Sequence, residues 1–134
     1  MAPLTVLNTR KKAETRLTRE SEIFTTIIKA IQEKKGEKIV SLDLRHIPEA
    51  VADFFIICEA NSNTQVRAIA DFVVEEVQKH TGEDPYKHEG FTAQQWILVD
   101  YVNVVVHIFQ PEPREFYSLE EMWSDADRMD HHDN

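Results

Sequence analysis

Cys58 is the only cysteine among 134 residues, and His107 is the imidazole that could serve it as a base. A reactive thiolate needs a neighbour that lowers its pKa and a partly exposed setting. Cys58 instead closes the apolar run Asp53-Phe-Phe-Ile-Ile-Cys58, where a thiol behaves as a small hydrophobe. Asp43 and Asp53 stand near the ends of adjacent predicted strands. In a nucleotidyltransferase such carboxylates hold magnesium against substrate phosphates. That chemistry also asks for a glycine-rich turn and paired acids along one strand, whereas the chain has 3 glycines and Leu42 and Leu44 flank Asp43. Capping of loop amides is the plainer role for both acids. Asp125, Asp127, Asp130, His131, His132 and Asp133 are metal-ligand types, but they lack the spacing of a known zinc site. Ordering a chain end around an ion also costs entropy. No catalytic residue, metal or cofactor is therefore expected. A magnesium-dependent, nucleotidyltransferase-type enzyme stays as the alternative.

The other chemistry-bearing group lies in two apolar runs, Trp96 to Tyr101 and Val104 to Phe109, split by Val102-Asn103. Two residues between strands predict an antiparallel hairpin with Tyr101 opposite Val104. Asn103 tolerates the left-handed region better than most residues, and the turn type is left open. Because side chains alternate by two, Ile97, Val99, Tyr101, Val104, Val106 and Ile108 share one face, which is apolar enough to pack on helices. The opposite face holds Trp96, Leu98, Asp100, Val105, His107 and Phe109, with Leu98 opposite His107 and Trp96 opposite Phe109. Large aromatics beside Asp and His match a protein-binding patch with apolar anchors and polar register. A helix or the chain's own C-terminus lying over this face would suit the same residues.

The elements that position the hairpin are legible from periodicity and punctuation. Phe24, Ile27, Ile28 and Ile31 predict a helix over 21–35, with Gly36 as its left-handed cap. Residues 38–44 and 53–58 read as strands, the second apolar enough to be buried on both faces. Ser62 with Gln65 forms a capping box before the stripe Val66, Ile69, Ala70, Val73, Val77, and Gly82 follows the end of that helix. Residues 82–95 read as loop with a short edge strand near Tyr86. Pro111 and Pro113 end the second hairpin strand, and Ser118 with Glu121 predicts a second capping box before Leu119, Met122 and Trp123. Strand-turn-helix order implies an α/β layer: one domain over 19–126, between loose tails at 1–18 and 127–134.

Composition narrows the partners. A formal charge of −9 disfavours sequence-independent binding to a phosphate backbone, which works through Lys and Arg, and no direct DNA binding is expected. Arg67, Lys87 and Arg114 read as isolated cations. A basic protein surface suits an acidic domain better. One cysteine asks for no oxidising compartment, and no apolar run approaches the ~20 residues of a membrane span. Arg10, Lys11, Lys12, Arg16 and Arg19 faintly resemble a transit peptide, but Glu14 and Glu20 interrupt them. The expected location is the cytoplasm, and the expected state is a monomer or weak homodimer.

Several runs carry a resemblance: Ala52-Asp-Phe-Phe-Ile-Ile57, Val66-Arg-Ala-Ile-Ala70, Glu89-Gly90, Trp96-Ile-Leu-Val-Asp-Tyr101, Val104-Val-Val-His-Ile-Phe109 and Arg114-Glu-Phe-Tyr117, then Leu119-Glu120 and Trp123. In order and spacing, across residues 20–126, the chain resembles the RsfS (Iojap-like) family of ribosomal silencing factors. It departs at Ala60, where that family usually has glycine, at Gln65, usually histidine, and at Val102-Asn103, commonly Gly-Asp. The resemblance implies a nucleotidyltransferase-like mixed-sheet α/β fold without the catalytic residues, with helices mainly on one face. It also implies binding to the large ribosomal subunit through the ribosomal protein numbered fourteen, blocking the small subunit and damping translation when nutrients run short. Relatives in organelles act in ribosome assembly. Strand parity, rather than the resemblance, assigns Trp96, Leu98 and Phe109 as the anchor and Asp100 and His107 as its polar register.

Overall fold

A computed structural model describes residues 17–132. Six strands form one mixed sheet: β1 (Glu37–Asp43), β2 (Phe54–Glu59), β3 (Lys87–Glu89), β4 (Trp96–Asp100), β5 (Val104–Phe109) and β6 (Asp127–His131). Their order across the sheet is β3-β4-β5-β2-β1-β6. β2 and β5 run parallel, and every other neighbouring pair is antiparallel. Two long helices, α1 (Glu22–Glu33) and α2 (Asn63–Thr81), and two short ones, α3 (Pro111–Tyr117) and α4 (Leu119–Met122), complete the described chain.

The stripes of α1 and α2 bury Phe24, Ile27, Ile31, Val66, Ile69, Val73 and Val77 against Phe54, Ile56, Ile97, Val99, Val106 and Ile108 on one sheet face. All six β2 residues are buried, as a strand covered on both faces must be. Phe55 and Ile57 point to the other face, where Val40, Leu42, Val105, Phe109 and Leu119 form a second cluster edged by Trp96, Leu98 and Trp123. This is the expected α/β arrangement, with the long helices on one side.

Local signals were met in part. Ser62 Oγ accepts the Gln65 N–H at 3.1 Å, and Gly82 ends α2 in the left-handed region at φ +78°. The Gln65 amide does not reach back to complete the box; it donates to the carbonyls of Lys34 and Lys35 at 3.3 Å, joining the end of α1 to the start of α2. The positive φ after α1 falls on Lys35 rather than Gly36. Gly36 is needed for space, since a Cβ there would lie 2.4 Å from Ile31 Cγ2. Ser118 forms no capping box either: it sits at φ +46°, closing α3 and opening α4 without a side-chain cap.

The tails need correction. Residues 1–16 lie outside the described part, but Leu17 donates its N–H to Asp53 Oδ2 at 3.3 Å and Thr18 donates to Ser21 Oγ at 2.8 Å, so the fold takes in both. Residues 127–131, expected as part of a loose acidic tail, form β6 along β1, from Asp43↔Asp127 to Ile39↔His131. Its first four side chains are exposed, so no hydrophobic pattern announces it. Backbone pairing and polar tethers hold it instead: Arg19 Nη2 to Asp127 O at 3.1 Å, His131 Nε2 against Ser41 Oγ at 2.7 Å, and Gln32 Nε2 to His132 O at 3.1 Å.

Candidate docking face

The hairpin has the register that counting by twos predicts: Trp96↔Phe109, Leu98↔His107 and Asp100↔Val105. Trp96, Leu98, Asp100, His107 and Phe109 therefore share the face turned away from α1 and α2. The expectation that all five are available to a partner does not hold. Phe109 is fully buried and His107 and Asp100 nearly so, whereas Trp96 and Leu98 remain partly exposed. Tyr117 of α3 meets Trp96, and Leu119 of α4 and Trp123 pack in the apolar cluster of Phe55 and Phe109.

Trp96 stacks on Phe109 with centroids 4.8 Å apart and meets Tyr117 of α3 at 4.6 Å. Phe116, 79% exposed, stands edge-on to Tyr117, and Met122 is 68% exposed. The accessible part of the face is thus Trp96 and Leu98 extended by Tyr117 and Phe116, while Glu115 and Glu121 line a cavity with Lys38 and Arg128 toward β1 and β6. The α3 residues escaped sequence reading because two prolines look like terminators. A proline at the first helical position lacks only an N–H that has no intrahelical partner anyway, so Pro111 begins a helix where it ends a strand.

The buried polar groups have specific tasks. The Trp96 Nε1–H donates to His107 Nδ1 at 3.1 Å. Burial drives the His107 pKa down to about 3, so the ring is neutral near pH 7. Asp100 Oδ1 accepts the Val102 N–H at 2.7 Å in the hairpin turn. There Val102, not Asn103, takes the positive φ, at +72°, and the Asn103 N–H donates to Tyr101 O at 2.9 Å. These are the marks of a three-residue γ-turn, a strained conformation for a β-branched residue. Asn103 is occupied elsewhere, with Nδ2 on Asp53 Oδ2 at 3.0 Å and its carbonyl taking the Asp53 N–H at 2.8 Å.

One cluster was missed. Arg114, on α3, is buried and donates from Nη1 to Lys38 O at 2.8 Å and Glu59 Oε1 at 3.2 Å, and from Nη2 to Glu120 Oε2 at 2.8 Å. It pins the short helices to the β1 bulge, where Lys38 itself has φ +50°. Arg67 and Lys87, also read as isolated, pair with Asp71 at 3.1 Å and Glu89 at 3.2 Å.

The other candidates are engaged structurally. Asp43 accepts the Arg45 backbone N–H and its guanidinium Nε and Nη2, at 3.0, 2.9 and 2.7 Å, while Nη1 donates to the Leu17 carbonyl at 3.2 Å. Burial alone would raise its pKa; the bonds and charge of Arg45 outweigh that and hold the carboxyl below its ordinary value. Asp53 takes Leu17 and Asn103. Among the described residues, no group of three or more His, Cys, Asp or Glu is placed to hold a metal ion. Cys58 is buried, and desolvation pushes its thiol up to about 12.

Comparison with known proteins agrees with this architecture. A family model described as "Ribosomal silencing factor during starvation" matches residues 18–134. A protein named ribosomal silencing factor RsfS from Bacillus subtilis is 42% identical over 101 residues, covering 75% of this chain and 84% of that one. Its namesake from Halalkalibacterium halodurans is 38% identical over 105 residues, covering 78% and 88%. A crystal structure of a Chromobacterium violaceum protein superposes with a TM-score of 0.73 at 33% identity, covering 77% of this chain and 84% of that one.

Proposed function

The chain belongs to the ribosomal silencing factor family, and from that premise we propose that it represses translation by occupying a surface of the large ribosomal subunit. Its seat is the ribosomal protein numbered fourteen, and its bulk there excludes the small subunit. The two are then mutually exclusive ligands of one site, and binding energy for one opposes joining of the other by mass action.

The observation that supports this most is a partly exposed indole, Trp96, held on a rigid strand and continued by Leu98, Tyr117 and Phe116. Aromatic anchors inside a polar rim are what concentrates binding energy in protein interfaces. The chain's charge of −9 favours encounter with a basic ribosomal protein. Trp96 and Leu98 make the direct contact, while Phe109, His107 and Asp100 act from beneath by stacking, hydrogen bonding and fixing the turn. Such a role uses no cofactor and no covalent chemistry. Its setting is the bacterial cytoplasm, and no described helix is long and apolar enough to cross a membrane.

Trp96→Ala should weaken co-sedimentation with purified large subunits by at least ~2 kcal/mol while leaving the circular dichroism spectrum intact. Unchanged co-sedimentation with an intact fold would reject this seat.

A further inference from the structure

His107 is an expensive residue for its place. It lies among Phe55, edge-on at 4.6 Å, Phe109 and Trp96, and it is 4% exposed. Because Nδ1 accepts the indole N–H, the ring proton of the neutral imidazole must sit on Nε2. Nε2 is buried without a hydrogen-bond partner among the described residues, and a buried donor left unmade costs stability. A phenylalanine would fill this aromatic nest without that cost. What it would not supply is an acceptor for Trp96.

We infer that His107 is the positioning residue of the docking face: its Nδ1 locks the Trp96 indole between Phe109 and Tyr117, so that a partner meets an aromatic surface already set in its bound orientation. The inference rests on the docking role proposed above. Trp96 is partly exposed, and an exposed indole held by stacking alone keeps rotamer freedom that binding must remove. The hydrogen bond at 3.1 Å removes it beforehand. The low pKa of His107 keeps Nδ1 an acceptor, since a protonated ring would present a donor to a donor.

The test uses ¹⁵N-labelled full-length protein and follows hydrogen exchange at the two indole N–H groups, with Trp123, which packs against Phe55, as internal control. His107→Phe should melt no lower than wild type, yet its Trp96 indole proton should exchange roughly ten-fold faster, as loss of one hydrogen bond allows. His107→Asn, whose Oδ1 stands near the place of Nδ1, should restore the slow exchange. Large-subunit binding should fall several-fold in the phenylalanine variant and recover in the asparagine one. Equal Trp96 exchange in His107→Phe and wild type would overturn the positioning role. A freed indole with undiminished binding would overturn its link to docking. If wild type fails to bind large subunits at all, the docking proposal falls, and indole exchange still decides what His107 does.

Discussion

The two faces of the sheet are sealed by different means. On one, α1 and α2 lay long apolar stripes over Phe54, Ile56, Ile97, Val99, Val106 and Ile108, and apolar burial does nearly all the work. On the other, helices of 7 and 4 residues are fastened by Arg114 to Glu59, Glu120 and the Lys38 carbonyl, and polar side chains lie among the aromatics. Long amphipathic helices make a closed core. Short helices held by charge leave a margin, and Trp96 and Leu98 stand in it.

Arg114→Ala should break this contrast most severely. It leaves the buried Glu59 with only the largely exposed Lys38 ammonium at 4.0 Å, and removing one partner of a buried pair costs ~3–5 kcal/mol. Urea unfolding should show the loss, and large-subunit binding should fall with it because α3 is no longer anchored. On the helical face Ile69→Ala should cost ~2–5 kcal/mol through cavity formation, yet the folded fraction should bind as wild type does. Equal effects of both substitutions on binding would erase the distinction between the faces.

Acid should reveal the same asymmetry. The folded pKa of His107 lies below its unfolded value, so the unfolded chain takes up the proton first as pH falls. The stabilisation is full above about pH 6.5 and declines toward the folded pKa near 3, by up to ~1.4 kcal/mol per pH unit. Stability measured between pH 6.5 and 4.5 should therefore fall less steeply in His107→Phe than in wild type. Identical slopes would mean that His107 is not held neutral in the fold. The smallest effect is expected at the turn: Val102→Gly should stabilise by ~1 kcal/mol, relief of a strained positive φ outweighing the entropy cost of glycine. A lower melting temperature would show that Val102 is not strained.

The hairpin register was legible because side-chain alternation has period two, and a two-residue loop leaves no freedom in the count. α2 was legible from Ser62 and Gly82. Three features were not. β6 has nearly all its side chains in solvent, so backbone pairing and a few polar tethers define it rather than any apolar pattern. α3 hides behind Pro111 and Pro113. The partners of Arg114 on the sheet lie 55 and 76 residues away, beyond any local pattern. α3, fastened by Arg114, sets how much of the aromatic face is covered, which is why strand parity put the five residues on one sheet face but did not show that Asp100, His107 and Phe109 lie buried in it.

Subunit joining, followed by light scattering with purified large and small subunits, tests the central claim most directly. Wild-type protein in excess over large subunits should hold the subunits apart, and Trp96→Ala should let them join. Joining that proceeds equally with and without the wild-type chain would contradict it.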